Sequence, residues 1–330
     1  MPSFYNKHIG MEYGEGYYFD PTTRMEIESN EKRFLYEILG KFGEGSRKPE
    51  PSANIFIQPV DLIMITQGAE IRCPIDGTLE TWGNPWRKLN IDEINKIDPI
   101  DAANHSIIDK IIKQYHEMVK MYGNKADIFG IKSGNMVIHS PYTTAHQLCG
   151  EELFFKMLDS PDEVRMIFSK IWQLYKSIFS RLTVELKAPN PTMLNIGDCS
   201  ACMLSSELYN DIVLPKNIKI TKGFKTLKYH SCGSSTHLLN NFTKLPLLNT
   251  IELGPGTDLA KGAELFPHII MAPLLNPLLM LNNTPLEVEK HIEEMIKATL
   301  PAPKTIICAW SLDRETQLSN LEALYATVNK

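Results

Sequence analysis

Short apolar runs alternate along this chain with longer stretches in which apolar residues recur every three or four positions. The short runs read as strands: Asn54–Gln58, Asp127–Ile131, Thr192–Ile196, Thr226–His230, Thr250–Leu253, His268–Met271 and Thr305–Cys308. The clearest helical stretch runs from Pro161 to Leu186. Val164, Ile167, Phe168, Ile171, Leu174, Tyr175, Ile178 and Leu182 form an apolar stripe along it. Its start is marked by Ser160 as N-cap, Pro161 at the first helical position and Glu163 as a capping-box partner. Thr284-Pro285-Leu286-Glu287 repeats that signal before a helix reaching Thr299.

Strands separated by helices form βαβ units on a parallel sheet. The number of units predicts an α/β fold and favours a (β/α)8 TIM barrel, occupying residues 1–330 as one domain, over an open parallel sheet, a choice that periodicity alone leaves open. The first fifty residues carry a helix near Glu26–Leu39 and a Gly/Ser/Lys/Pro-rich link from Gly43 to Ser52. They read as an N-terminal helical cap over residues 1–52.

In such a barrel, chemistry belongs at the C-terminal ends of the strands. His230 and Cys308 fall at strand ends, as do Asp198, just beyond Ile196, and Glu252. Positions i and i+2 of an extended segment point the same way, so His230 and Cys232 can hold one ion together. Cys308 follows 76 positions later. One imidazole and two thiolates suit zinc, and three protein ligands leave the fourth position open for substrate. The spacing alone equally allows a core histidine with two buried thiols. Asp198 and Glu252 read either as pocket residues or as caps and ion-pair partners.

Composition narrows the class. With 43% hydrophobic residues in 330, the chain can bury a large core, and a net charge of −5 without basic–aromatic runs excludes nucleic acid as the main partner. The stretch from His268 to Leu281 is broken by Pro273 and Pro277 and is too short to span a bilayer. The opening residues lack the apolar core of a secretory signal. Six dispersed cysteines then read as reduced thiols of a cytoplasmic protein.

Gly197-Asp-Cys-Ser-Ala, Tyr229-His-Ser-Cys-Gly, Glu252-Leu-Gly-Pro-Gly-Thr-Asp258 and Asn276-Pro followed by Asn283-Thr-Pro-Leu-Glu287 resemble the uroporphyrinogen decarboxylase superfamily, in order from Asn54 to the C-terminus. The His-x-Cys with a distant Cys is similar to its zinc methyltransferase branch, which includes the methylcorrinoid:coenzyme M methyltransferases. The resemblance implies a (β/α)8 barrel, zinc on His230, Cys232 and Cys308, and attack of a zinc-activated thiolate on a methyl group carried by a corrinoid (cobalamin). The expected partners are a small thiol or related acceptor and a separate corrinoid protein. The decarboxylase branch uses an arginine-rich segment after the first strand to bind carboxylates. Here that place reads Gln58-Pro-Val-Asp-Leu, with no arginine between Arg47 and Arg72. The alternatives are a lyase acting on a carboxylated substrate and a non-catalytic corrinoid- or metal-binding module.

The remaining candidates read mostly as structure. Cys199 and Cys202 form a C-x-x-C that departs from the family pattern and is expected to pack at a strand–helix junction, a redox role being the alternative. Tyr229 points away from His230 and is expected in the core. His237 is expected on the next helix. Trp82 and Trp86 are expected in a packed loop, while Asn135, Pro141 and Tyr142 are candidates for the pocket wall.

Overall fold

The computed structural model describes residues 2–50, 54–309 and 312–330, so Pro51 and Ser52 of the expected link lie outside the described residues. The strands are β1 (Asn54–Ile55), β2 (Glu70–Arg72), β3 (Glu80–Trp82), β4 (Asp127–Ile128), β5 (Asn135–His139), β6 (Met193–Gly197), β7 (Thr226–Ser231), β8 (Leu248–Leu253) and β9 (Ile270–Pro273). β5 to β9 lie side by side in chain order, each pair parallel. Parallel bridges Met271–Thr305 and Leu274–Cys308 add the last segment to that sheet. β1 pairs in parallel with β4, and β2 with β3 forms an antiparallel hairpin. Sequential parallel strands crossed over by helices make an α/β barrel, as the hydrophobic pattern predicts.

Several expected boundaries shift, each for a local reason. The run Asn54–Gln58 is strand only to Ile55, because Pro59 opens a helix (Pro59–Thr66). Asp127–Ile131 ends at Ile128, where Phe129 and Gly130 take left-handed conformations with φ of 53° and 70°. No α-helix separates β4 from β5; a 3-10 turn, Ile131–Ser133, does. β5 itself is absent from the sequence expectation. Asn135-Met-Val-Ile-His alternates half-buried with buried residues over only five positions, a weak signal next to Gly134.

The helix Pro161–Glu185 buries the whole predicted stripe together with Phe179 and Thr183. Each such side chain contributes about 1.5–3 kcal/mol on burial. Its cap differs from expectation. The Ser160 side chain makes no capping bond, and Glu163 pairs with Lys156 at 3.6 Å instead. The second box forms as expected, Thr284 and Glu287 bonding reciprocally at the start of Pro285–Ala298.

The N-terminal helix starts earlier than expected, at Pro21, because Asp20 caps it by accepting from the Thr23 backbone N–H at 2.8 Å. Phe4, Tyr5, Tyr13, Ile27 and Phe34 join a second core with Leu275, Met280, Val288, Ile292, Leu321 and Leu324. The cap is therefore packed onto the last helices of the chain. Among the described residues, no helix is long and apolar enough to cross a membrane.

Candidate metal centre

Register across the sheet assembles the site. Gly197 of β6 pairs with His230 of β7, and His230 pairs with Glu252 of β8. Neighbouring residues of parallel strands point to the same side, so these positions form one interior layer. Two residues beyond the first pair, Cys199 comes opposite Cys232. One ligand atom each from Cys199, His230 and Cys232 lie within 4.8 Å of one another. Zn–S and Zn–N bonds of about 2.3 and 2.1 Å place tetrahedral ligand atoms about 3.6–3.8 Å apart. The donor set and its spacing therefore fit zinc after small side-chain adjustments.

The turn carrying Cys199 is held by Asp198. That carboxylate is fully buried and accepts four bonds. Ser140 Oγ donates at 2.6 Å, Tyr229 OH at 2.7 Å, Thr143 Oγ1 at 2.9 Å and Asn217 Nδ2 at 3.1 Å. Burial pushes its carboxyl up while the four donors pull it back. The Asp198 backbone N–H donates to the His230 carbonyl at 2.7 Å, and the Ser200 N–H to Thr143 Oγ1 at 3.1 Å. Asp198 thus positions Cys199 and has no surface of its own for a substrate. Tyr229 is buried beside it, as expected of a core residue.

Cys232 sits on the other strand under close backbone contact. A Cβ at Gly254 would overlap the Cys232 carbonyl group, and one at Gly233 would overlap the Cys202 sulfur. The Gly254 N–H donates to the Ser231 carbonyl at 2.8 Å, tying the two loops together. The bond between the Cys199 and Cys232 side chains is the leading influence on both thiols, raising the Cys199 thiol. The same bond lowers Cys232 to about 5, against the effect of burial and with help from His230.

Glu252 stands behind His230. Its carboxylate accepts from His230 Nδ1 at 2.7 Å and pairs with Lys228 Nζ at 2.6 Å. Burial lowers the imidazole pKa, but its bonds to Cys232 and Glu252 outweigh that and hold it at about 9. Burial likewise raises Glu252, and His230 and Lys228 reverse it to a net lowering. With Nδ1 held by a carboxylate, the ring would bind a metal through Nε2, the usual outer-sphere arrangement of a metal-binding histidine.

Cys308 lies on the same rim but outside this group. It bridges Leu274, three strands along from Cys232, and its thiol donates to the Ile306 carbonyl at 3.5 Å. Burial raises its thiol, and Glu252 adds to that while Lys228 opposes it. Cys199, expected to pack at the strand–helix junction, instead lies with His230 and Cys232 in a group that could hold a metal, while Cys308 is not part of that group. The alternation rule that turned Tyr229 away from His230 also turns Asp198 outward and Cys199 inward.

A second residue escaped the sequence reading. His139, in register with Gly197, lies beside His230, and the missing side chain of Gly197 leaves room for its ring. Burial, then the His230 charge, lowers His139 to about 4, so it is a neutral imidazole, and its Nδ1 has no partner among the described residues. The other candidates fall elsewhere. His237 bonds the Leu204 carbonyl at 2.9 Å. Trp86 is buried, while Trp82 is half-exposed on β3 under the Arg72 guanidinium. Asn135 begins β5 and so lies at the end away from the site, and Tyr142 is buried against Phe168.

Comparison with known proteins agrees with this architecture. Residues 55–330 match the family Uroporphyrinogen decarboxylase (URO-D). No curated protein matches the chain. Among solved structures it is similar to a methyltransferase from Methanosarcina mazei, with 15% identity, a TM-score of 0.66, and coverage of 98% of this chain and 89% of that one. The matched family region takes in every barrel strand from Ile55 onward and the whole Cys199–His230–Cys232 centre, and the chain belongs to the uroporphyrinogen decarboxylase family.

Proposed function

We propose that the protein is a zinc-dependent methyltransferase that moves a methyl group between a corrinoid carrier and a thiol or related acceptor. The observation that carries this reading is the convergence of Cys199, His230 and Cys232 on one point at the C-terminal rim, with Glu252 orienting the histidine. Zinc held there would supply Lewis acidity that keeps a substrate thiol in its nucleophilic thiolate form near neutral pH. Three protein ligands leave one position for that thiol.

The chain's own residues do the rest. Glu252 keeps the Nδ1 proton and so presents Nε2 to the metal. Asp198 fixes the Cys199 turn through four hydrogen bonds. Gly254 lets the backbone at Cys232 approach without a clash. The similarity to the Methanosarcina mazei methyltransferase supports methyl transfer, and six free thiols suit a reducing cytoplasm. A polycarboxylate substrate fits poorly, because the cavity beyond β1 presents Glu31 and Asp61 and no arginine.

The deciding experiment measures zinc in purified protein by mass spectrometry, then follows methylcobalamin demethylation with a panel of thiols. Stoichiometric zinc and thiol-dependent loss of the methyl–cobalt absorption are expected. Absence of zinc, or turnover that survives its complete removal, would overturn the reading.

A further inference from the structure

A cavity of about 350 Å3 separates the N-terminal helices from the residues that follow β1. Tyr5, Tyr13, Tyr17, Tyr18 and Phe56 supply aromatic walls, and Glu31 and Asp61 supply charge. Tyr13, Tyr17 and Tyr18 pack edge to face in series, with centroids 5.0 and 5.1 Å apart. The Leu79 backbone N–H donates to Tyr18 OH at 2.7 Å and fixes that ring. The wall is therefore preformed.

Among the described residues, each carboxyl accepts a bond from a hydroxyl. Tyr13 OH donates to Glu31, and Thr81 Oγ1 donates to Asp61 at 2.8 Å. Burial is the main cause holding each up to about 6, so both are mostly ionised at pH 7. Arg24 stacks on Tyr17 at 4.9 Å, but it bonds the carbonyls of Tyr17 and Asn54, faces Glu28 at 3.9 Å and does not line the cavity. Lys32 also acts on Glu31, whereas no cation is among the groups acting on Asp61, and two carboxyls in an aromatic enclosure favour the entry of a cation.

We propose that this cavity binds a small alkylated ammonium ion, its alkyl groups against the aromatic wall and its charge answered by Glu31 and Asp61. Aromatic rings attract cations that shed water easily, which describes a methylated ammonium. A hydrated metal ion would instead need a shell of oxygen ligands. The volume lies at the lower end of the range for small-molecule sites. Phe56, Ile57 and Gln58 of its lining directly follow the C-terminal end of β1, where barrel sites form. The inference rests on the cavity alone and stands or falls separately from methyl transfer.

The test is calorimetric or NMR titration of the full chain with choline and with its neutral isostere 3,3-dimethyl-1-butanol. Choline is expected to bind about tenfold or more tightly than the isostere. Glu31→Gln and Asp61→Asn should each weaken choline about tenfold and leave the isostere unchanged. Equal binding of the two probes, no saturable choline binding, or choline affinity unaltered in folded variants would overturn the proposal. Circular dichroism establishes folding, and if both variants unfold, the wild-type comparison of charged and neutral probe decides alone.

Discussion

Glu252→Gln separates the orienting role of this carboxylate from simple packing. Glutamine keeps the shape but turns a charge-assisted bond to His230 Nδ1, now 2.7 Å, into a neutral one. Such a bond is worth about 1.5–3 kcal/mol against about 1 kcal/mol for a neutral pair. The loss of about 1–2 kcal/mol corresponds to roughly 5–30-fold in zinc affinity, close to the 10–100-fold typical of outer-sphere partners. Proton competition works in the opposite direction. His230 is held at about 9 without metal, partly by Glu252, so near pH 7 zinc must displace a proton that the variant would hold less tightly. The deficit should therefore be small at pH 7 and nearly fully developed at about pH 10, where the imidazole is mostly neutral in both proteins. Competition with a chromophoric chelator at the two pH values measures it. Undiminished affinity at the higher pH would refute the assignment of Glu252 as the orienting group.

Cys199→Ala should lower zinc affinity by about 100-fold or more, whereas Cys308→Ala should change it little; the reverse outcome in metal analysis would return the third ligand to Cys308. Asp198→Ala leaves Ser140, Thr143, Asn217 and Tyr229 without their shared acceptor and should cost about 3–5 kcal/mol in urea unfolding, with less than 1 kcal/mol excluding the hub role. Gly254→Ala forces the Cys232 backbone aside at about 1–3 kcal/mol and should reduce zinc content, and Gly233→Ala, whose Cβ would meet both Sγ and Cβ of Cys202, should displace that turn as well. Asp61 is raised from 3.8 to about 6, so the folded state binds the extra proton between those values and stability falls as pH rises through them. The span is worth about 3 kcal/mol at most, and Asp61→Asn should remove that part of the slope between pH 4 and 6 in unfolding curves.

The sequence carried the strand and helix alternation because each element's period is written locally. The stripe from Val164 to Leu182 and the box at Thr284–Glu287 appear in the structure as they read in the chain. Ser160 shows the limit of such local signals. Its expected partner Glu163 is taken by Lys156 from the preceding helix, a competition invisible in a four-residue motif. β5 escaped because five alternating residues carry little periodic weight, although they pair along their whole length with β6.

The centre divides the same way. His-x-Cys is a local fact, since two positions of one strand end face the same side whatever surrounds them. The inward turn of Cys199 was equally local, following from the alternation that buries Asp198. What no single segment holds is register. Only the tertiary structure sets Gly197 beside His230, which brings Cys199 opposite Cys232 and leaves Cys308 three strands away. Register also decides that Glu252 meets His230 Nδ1 and that Asp198 serves as a buried anchor. The physical reason is that strand pairing is fixed by the packing of whole helices and loops around the barrel, a sum over distant residues. The sequence by itself determined the kind of ligands present; the fold decided which of them meet.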